Sequence, residues 1–559
     1  MMKNNWSKKV RAALALIAPM VLVACGNNTT SDKNNDTKEN EPITMKIGQQ
    51  TQPNSKLPEG DSYADNAYRR LIKDKLNITI ESAFEANGDD YDRQVALAIA
   101  SGDLPDIMTV DRDELEELAN NGLIEDLTDV FDKYASDNIK AVYKSFDDFQ
   151  LKAATIDGQL MAVPGVGNDF GPNLVWIRQD WLDKLGIKLD PDGNHAITLD
   201  ELESTAKAFI DKDASGKGNT KGLAFAPWLS ADNHGGTAYT ANPIMNAFGA
   251  YPKVYLPSES GKIEYGSNTK EMKEALGYLN KLYKEGILDN QVGTRTYDDI
   301  NAMNISGEIG IVTGPWHFPD WTLVQTRTAN RDALYTPYAI EGKDGKVSGV
   351  QKPGAGGFVV VRKGFEHPEA LIKMLNLIFD EVPNDNNMEQ DFPEIYQYAQ
   401  KAVDGSVRPM NIEMFKNLSE IDDAVTASNA AEGKSSIDDI HNFTVKNNAK
   451  HIKAYLDNPK ASDPTEFAVY SSRLLAVRDV MGGVRNEGIY KEIKPVSIVQ
   501  KVKATERNGA QIGKLEEENF IKFVTGEQSL DDFDKYVSTW NEQGGTAIIN
   551  EMQEIVNKQ

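Results

Sequence analysis

The sequence predicts an α/β fold in which helices cover a mostly parallel β-sheet. Three observations support this class. Strand and helix patterns alternate along the chain from residue 43 onward. The chain has 559 residues, which is enough for two or more hydrophobic cores. Its contents of hydrophobic residues, 40%, and of charged residues, 26%, are ordinary for a globular protein.

The alternation is clearest in the first part of this region. Residues 43–48 alternate apolar and polar side chains, as strands with one buried face do. Residues 63–76 and 90–100 place apolar side chains at helical spacing, and Gly102 ends the second of these patterns. The predicted elements are a strand at 43–48, a helix at 63–76, a strand at 78–80, a helix at 90–100, a strand at 106–110 and a helix at 114–121.

The later elements follow from the same signals. Thr198 and Glu201 have the spacing of a capping box, in which a hydroxyl and a carboxylate three residues apart cap a helix N-terminus. The predicted elements are a buried strand at 175–178, a short helix at 180–185, a capped helix from 199, a buried strand at 356–361, an apolar helix from Pro368 and mostly helical structure from Phe467.

The N-terminal region has the composition of an export signal. Basic residues precede an apolar run, Ala12 to Ala24, which is shorter than the roughly 20 residues that cross a bilayer. The run ends at Cys25, the single cysteine of the chain. Small residues before a cysteine resemble the lipobox of exported bacterial lipoproteins. That resemblance implies a signal peptide over 1–25 and acylation of Cys25 by fatty acids such as palmitate. The alternative is an ordinary secretory signal with a chance cysteine.

Composition and motifs exclude several kinds of function. Residues 26–42 are almost entirely polar and predict a flexible linker, although a solvated tail has the same composition. The net charge of −25 argues against a nucleic-acid partner, because a phosphate backbone needs a basic surface. The chain has no His-Glu-x-x-His, Gly-x-Ser-x-Gly or phosphate-binding loop, and the lipobox uses the only cysteine. We therefore expect no enzyme and no catalytic cofactor.

Four segments together resemble family 1 of the extracellular solute-binding proteins of ABC transporters. The resemblance is strongest to the carbohydrate-binding lipoproteins of Gram-positive bacteria, and it extends over nearly the whole chain after the export signal. The segments are SGDLPDI at 101–107, IRQDWLDKLG at 177–186, GEIGIVTGPW at 307–316 and FDKYVSTWNEQGG at 533–545.

The resemblance implies a two-lobed periplasmic-binding-protein-like fold of type II, with discontinuous lobes joined by hinge strands. The N-terminal lobe is expected to comprise 43–165 with about 340–400, and the C-terminal lobe 166–339 with about 401–559. The implied protein is a monomer, anchored by lipid at the extracytoplasmic face of the cell membrane. It captures an oligosaccharide between its lobes and delivers it to an ABC permease. The alternatives are a peptide receptor of an ABC importer and a surface glycosidase.

Aromatic residues are the first candidates for ligand contact, since flat rings stack on the apolar faces of sugars. Trp316 is the preferred residue, because Gly314 and Pro315 form a rigid turn at a strand end, where open α/β sheets bind ligands. Trp181 is expected to pack inward from its short helix. Arg178 is either a ligand contact or an ion-pair partner of Asp180 or Asp183. The full candidate set is Trp316, Arg178, Trp176, Trp228, Trp321, His317 and Gln50.

The loop after the capped helix is a candidate calcium site. Oxygen-bearing residues alternate along it, and Gly216 stands where an EF-hand loop turns sharply. The twelfth position is Gly222, where an EF-hand has a glutamate, so we expect weak binding. The alternative is a glycine-rich loop without an ion. The candidate ligands of a structural Ca²⁺ are Asp211, Asp213, Ser215, the carbonyl of Lys217 and Asn219.

Overall fold

The computed structural model describes residues 41–558, apart from 54, 168–170, 231–237, 259, 352–354 and 499. The predicted signal peptide, Cys25 and nearly all of the predicted linker lie outside the described residues. The elements described below belong to one compact unit, Pro42–Gln559. In the part of the chain that is described, no helix is both long enough and apolar enough to cross a membrane.

The strands are short, as is usual where helices cover the sheets. They are Ile43–Gln50 (β1), Ile78–Ala86 (β2), Ile107–Val110 (β3), Thr155–Ile156 (β4), Gln159–Leu160 (β5), Val163–Val166 (β6), Leu174–Arg178 (β7), Ala196–Ile197 (β8), Tyr255–Pro257 (β9), Ile263–Tyr265 (β10), Ile311–Gly314 (β11), Tyr335–Ile340 (β12), Val347–Val350 (β13), Ala355–Val361 (β14) and Tyr490–Ile493 (β15).

Helices make up most of the remaining structure. They are Ala67–Leu76 (α1), Gly88–Ser101 (α2), Arg112–Asn120 (α3), Thr128–Tyr134 (α4), Asp137–Lys144 (α5), Phe149–Ala153 (α6), Gln179–Leu185 (α7), Leu199–Asp211 (α8), Asn242–Ala247 (α9), Lys270–Lys284 (α10), Tyr297–Ser306 (α11), Leu323–Ala329 (α12), Glu369–Asn376 (α13), Met388–Asp391 (α14), Pro393–Gln400 (α15), Ser419–Ala431 (α16), Phe443–Asp457 (α17), Pro464–Val469 (α18), Gly483–Asn486 (α19), Lys503–Thr525 (α20), Phe533–Trp540 (α21) and Thr546–Val556 (α22). Leu377–Glu381, Tyr470–Gly482 and Asn541–Gly545 are π-helical, and Gly266–Asn268, Phe318–Asp320, Gly405–Val407, Ile437–Asp439 and Leu530–Asp532 are 3₁₀ turns.

The first sheet has the strand order β2-β1-β3-β14-β6. β1 is parallel to β2 and β3, as the sequence predicts, whereas β14 is antiparallel to both of its neighbours. The apolar residues of these strands and of the helices beside them form one core, drawn from 43–166 and 358–412. This core fixes the carboxyl end of β1 next to segment 404–412, through bonds from the buried amide of Gln49 to the carbonyls of Ser406 and Arg408.

The second sheet has the order β11-β7-β12-β8 and belongs to the other lobe. β7 is antiparallel to β11 and β12, so the parallel arrangement expected from the strand–helix rhythm does not extend to this sheet. Its faces are covered by two clusters, one of which includes α20, α21 and α22. The mostly helical structure predicted after Phe467 is thereby confirmed.

The predicted capping box at the start of α8 is present. The Thr198 hydroxyl accepts from the Glu201 amide at 3.1 Å, and the Glu201 carboxylate accepts from the Thr198 amide at 2.8 Å. Since two otherwise unpaired amides are satisfied by one pair of side chains, the helix begins at a fixed residue.

The end of β6 and the segment 413–415 run side by side. The Val166 amide donates to the carbonyl of Glu413 at 2.6 Å, and the Val166 carbonyl accepts from the Phe415 amide at 3.0 Å. Residue 166 ends the last strand of the first sheet, and residues 413–415 lead to α16. The start of α16 therefore lies close to the end of β6.

Candidate functional site

The turn after β11 is built by close packing around Gly314. A Cβ at Gly314 would lie 2.6 Å from the ring of Phe318, so only glycine fits between the strand and this buried ring. The Phe318 amide donates to the Pro315 carbonyl at 3.0 Å, which closes the turn. Trp316 and His317 occupy its tip, and both are half-buried. The strand-end position predicted for Trp316 is therefore the one observed.

Four neighbouring rings at this turn contact one another in a row and are here called the aromatic platform: Trp316, His317, Trp321 and Tyr297. The ring centroids of Trp316 and His317 are 5.0 Å apart, and those of His317 and Trp321 are 6.3 Å apart. Trp321 and Tyr297 are nearly parallel, with an interplanar angle of 16° and a centroid distance of 6.2 Å. Trp321 is 37% exposed, which is unusual for so large an apolar side chain. The platform offers flat apolar faces to a ligand.

Buried aromatic residues support the platform from below. Tyr239 packs against Tyr297 at 5.2 Å and against Phe318 at 5.5 Å, and Phe318 packs edge-on against Trp321 at 5.1 Å. Burial raises the pKa of Tyr239 well above its usual value, so this residue stays neutral. Trp228 is half-buried against the same cluster. The platform therefore rests on a rigid layer.

The charges beside Trp316 are mainly acidic. The Arg473 guanidinium lies 5.1 Å from the Trp316 ring centroid and is paired with Asp320. Two further carboxylates lie on the first turns of α16, at Glu420 and Asp423. Burial and the neighbouring Glu420 raise the pKa of Asp423 to about 7, and burial also raises that of Glu420. Among the described residues, neither carboxylate accepts a hydrogen bond, and both are half-buried.

The antiparallel direction of β7 separates two of the predicted residues from the platform. Leu174 pairs with Gly314, whereas Arg178 lies at the other end of β7, roughly 13 Å away at about 3.3 Å per residue. Arg178 is 2% exposed and donates from Nε and Nη2 to Asp180 at 2.7 and 2.6 Å. The ion-pair alternative is thus the one found, and Arg178 is no contact for a ligand on the platform.

Trp176 also needs correction. It lies in the middle of β7 with no exposed surface, packed within the core that supports the platform. Its burial excludes direct ligand contact in this conformation. Trp181 is 4% exposed and packs edge-on against Phe209 at 5.2 Å, as predicted.

Gln50 lies in the other lobe, at the carboxyl end of β1. Its side-chain oxygen accepts a hydrogen bond from the side-chain amide of Asn411 at 2.7 Å, and Gln50 is half-buried. Asn411 immediately precedes the segment that leads to α16. Gln50 therefore lies near that segment, although no described contact joins it to the aromatic platform.

Sequence reasoning missed Tyr297, Arg473 and the two α16 carboxylates. Tyr297 begins α11, where Thr296 and Asp299 form a capping box, so its local pattern indicates a helix start and nothing more. Arg473 lies in a π-helical segment far along the chain. Glu420 and Asp423 lie at the start of a helix, where acidic residues are common, so their positions gave no functional signal either.

The loop at 211–222 is closed by hydrogen bonds among its own residues. The Asp213 carboxylate already accepts from the Thr220 hydroxyl at 2.6 Å, the Gly218 amide at 2.8 Å and the Ser215 hydroxyl at 2.9 Å; these bonds, led by that of Thr220, lower its pKa. At the twelfth position, a Cβ on Gly222 would lie 2.4 Å from the Ile287 carbonyl oxygen, which excludes a carboxylate there.

The remaining predicted ligands are exposed or bonded elsewhere. Asp211 and Asn219 are exposed, and the Lys217 ammonium donates to the carbonyl of Ser306. Among the described residues, no group of three or more His, Cys, Asp or Glu side chains is arranged to hold a metal. In this structure the loop closes through its own hydrogen bonds, and a Ca²⁺ bound by Asp211, Asp213, Ser215, Lys217 and Asn219 stays a prediction.

The fold agrees with a comparison of the whole chain with known families. The profile of the bacterial extracellular solute-binding proteins matches residues 60–381, which is more than half of the chain. The chain belongs to this family. Its members are non-catalytic binding proteins of ABC transporters, so this solute-binding protein is not an enzyme. The glycosidase alternative is thereby overturned.

Individual relatives extend the similarity over most of the chain. The polygalacturonan/rhamnogalacturonan-binding protein YtcQ of Bacillus subtilis is 25% identical over 82% of this chain and 81% of its own length. The lipoprotein LipO of the same organism is 21% identical over 96% of both chains. The solved structure of an EF-hand mutant of FusA from Streptococcus pneumoniae, in complex with fructo-nystose, has a TM-score of 0.58. It covers 92% of this chain and 99% of its own at 14% identity, which shows the shared two-lobed α/β periplasmic-binding-protein fold.

Proposed function

We propose that this solute-binding protein captures an oligosaccharide on the aromatic platform, in the cleft between its lobes, and delivers it to the permease of an ABC importer. The observation that carries this proposal is the set of four rings around the exposed indole of Trp321. Pyranose and furanose rings have apolar C–H faces that stack on such rings, while their hydroxyls need polar partners at the edge. Gln50 is the proposed hydroxyl partner from the opposite lobe.

The position of Trp316 supports a site at the junction of the lobes. Trp316 packs in one cluster with Leu418 and Ile421, which lie where the segment after 415 enters α16. A ligand stacked on Trp316 therefore lies next to the backbone that bends when the lobes close. Contacts made only in the closed form would shift the population toward closure and mark the protein as loaded for the permease.

We propose lobe boundaries from the membership of the hydrophobic cores. One core draws on 43–166 and 358–412, which supports a first lobe of 43–165 with a second segment that begins near 358 instead of 340 and ends near 412 instead of 400. Residues 166–339 and those after 412 then form the second lobe, with the helices from α16 onward packed on it.

The ligand that fits best is an uncharged oligosaccharide. Asp320, Glu420 and Asp423 outnumber Arg473 beside Trp316, and a polyuronate would meet like charges there. YtcQ is named for binding polygalacturonan, whereas FusA is solved with the uncharged fructo-nystose. The local charges favour the second type of ligand for this chain.

The same proposal includes lipid anchoring of a monomer at the extracytoplasmic face, through Cys25. The support is the lipobox pattern at Leu22–Cys25 together with similarity to LipO over 96% of the chain, since that relative is named a lipoprotein. Labelling cells with a radioactive fatty acid tests this part. Label should enter the wild-type protein and not Cys25→Ala, and equal labelling of the two would overturn it.

The sugar site is tested by titration calorimetry with neutral oligosaccharides, a galacturonan oligosaccharide and peptides. Trp316→Ala and Trp321→Ala should each weaken sugar binding at least tenfold, because each removes an aromatic ring on which a sugar ring stacks. Leu97→Ala is the matched control, since Leu97 is 62% exposed on α2 of the other lobe. Peptide binding that survives both tryptophan variants would instead establish the peptide receptor, and binding of no glycan at all would overturn the proposal.

A further inference from the structure

A second cavity lies at the far end of β7 from the aromatic platform. Its volume is about 420 Å³, and four elements line it: the end of β7 with α7, the loop after α8, the end of α11 and the end of α12. Among its described lining residues are three cations, Arg178, Lys184 and Lys217, and one carboxylate, Asp180. An excess of positive charge is unexpected in a chain with a net charge of −25.

The charges of the two lysines are not neutralised within the described structure. Lys184 Nζ donates to the Ala214 carbonyl at 3.0 Å, and Lys217 Nζ donates to the Ser306 carbonyl. Neither ammonium forms an ion pair with a described carboxylate. Each ammonium has three N–H groups and uses one of them in these bonds, so donors remain on both sides of the cavity.

The cations also converge on one place. A Cβ built on Gly307 would lie 3.6 Å from Arg178 Nη1 and 4.0 Å from Lys217 Nζ, so these nitrogen atoms are at most 7.6 Å apart. An oxyanion such as phosphate bridges donors about 8 Å apart when each N–H···O⁻ bond measures about 2.8 Å. Arg178 is held in place by its two bonds to Asp180, which use Nε and Nη2. Because the guanidinium group is planar, these bonds also fix the direction of Nη1.

Among the described residues, Asp180 is the carboxylate at the cavity wall, and its pairing with Arg178 leaves the two lysines as the cations without a paired carboxylate there. Two other carboxylates nearby are bonded elsewhere. Asp213 is bonded to Thr220, Ser215 and Gly218 within its loop, and Glu308 accepts from the Ser306 hydroxyl at 3.0 Å. Neither of them lines the cavity. The loop after α8 thus contributes a cation, Lys217, to a neighbouring space.

We propose that this cavity is a binding site for a small soluble oxyanion of the phosphate or sulfate class, held by Arg178, Lys184 and Lys217. The site is independent of the sugar site, because β7 separates the two by roughly 13 Å along the strand. Binding there stabilises the second lobe by joining α7, the loop after α8 and the end of α11.

The test is titration of the full-length protein with inorganic phosphate, against sodium chloride at the same ionic strength, followed by calorimetry and thermal unfolding. Phosphate should bind with a stoichiometry of one and raise the Tm. The double variant Lys184→Ala and Lys217→Ala should weaken phosphate binding at least tenfold and leave neutral-sugar affinity within twofold. The matched control is Lys188→Ala with Lys212→Ala, since both lysines are exposed on the same segments and outside the cavity.

Two results would overturn the proposal. One is an equal effect of phosphate and chloride on the wild type. The other is a phosphate effect that the control and the double variant share, which would show general screening of surface charge.

Discussion

Trp321 donates its indole N–H to Nδ1 of His317 over 3.1 Å. This bond links the most exposed ring of the platform to the tip of the turn and fixes its orientation. Because Nδ1 accepts, the neutral imidazole carries its proton on Nε2. Two of the predicted ligand residues therefore act as one unit.

The first prediction concerns this bond. His317→Phe keeps a ring but removes the acceptor, so Trp321 should lose its fixed orientation and sugar affinity should fall about three- to tenfold. His317→Gln retains an acceptor and should recover most of that loss. Calorimetry with a neutral oligosaccharide measures both, and the emission maximum of tryptophan reports the freed indole. Equal affinities for the two variants would show that the bond has no role in binding.

The second prediction concerns charge selectivity. Glu420→Gln with Asp423→Asn removes two acids beside Trp316, so affinity for a galacturonan oligosaccharide should rise about tenfold at pH 8, with neutral-sugar affinity nearly unchanged. Asp320, Asp422 and Arg473 are the other charged groups near this pair. Glu389→Gln with Asp391→Asn makes the same change in net charge at exposed positions of α14 and should have no effect. A neutral-sugar affinity that falls instead would make the acids hydroxyl partners.

The third prediction concerns Gly314. A methyl group there meets the Phe318 ring at 2.6 Å, and Phe318 supports Trp321. Gly314→Ala should therefore destabilise the protein by about 1–3 kcal/mol and reduce sugar affinity at least tenfold. Gly277→Ala is the control, because a Cβ there meets only Leu530 at 3.5 Å within helix α10. Chemical denaturation and calorimetry distinguish the two, and an unaltered platform in Gly314→Ala would contradict the packing argument.

The fourth prediction concerns pH. Glu516 is fully buried, with one oxygen accepting from Tyr265 at 2.8 Å and the other without a partner, and burial raises its pKa to about 7 from an ordinary 4.5. A raised pKa means that the folded state binds the proton more tightly. The protonated Glu516 therefore contributes fully to the free energy of unfolding below pH 4.5. That contribution, on the order of 3 kcal/mol in total, is lost as the pH rises through 7.

Glu516→Gln should remove that loss, since an amide does not titrate. The free energy of unfolding is measured for the wild type and the variant at pH 5 and at pH 8. The wild-type value, taken relative to the variant, should be lower at pH 8 than at pH 5. Glu518→Gln, at an exposed position on the same helix, should show the pH dependence of the wild type. Parallel behaviour of wild type and Glu516→Gln across this range would contradict the prediction.

Much of the platform was accessible from the sequence because Trp316, His317 and Trp321 belong to one turn. Local chemistry, a glycine and a proline after an apolar strand, was enough to place them. Tyr297 was not accessible, because it reaches the same surface from another helix through tertiary packing alone. The two-lobed fold was predicted from motifs whose order along the chain is informative even where each is weak.

Arg178 and the loop at 211–222 show the limits of sequence reasoning. Strand direction is set by pairing partners remote in sequence, so nothing local indicated that Arg178 and Trp316 lie at opposite ends of the second sheet. Alternating oxygen atoms suggested metal ligands, yet spacing does not reveal that Asp213, Ser215 and Thr220 bond to one another. The contact between the backbone of Ile287 and Gly222 likewise joins residues remote in sequence, so local pattern did not predict it.

The paired connections at Val166 have a mechanical consequence. Because both its amide and its carbonyl are bonded to residues 413 and 415, neither strand of this ribbon can bend without its neighbour. A displacement of the backbone at Val166 is therefore passed directly to residues 413–415 and to the start of α16, which carries Leu418 and Ile421 beneath Trp316.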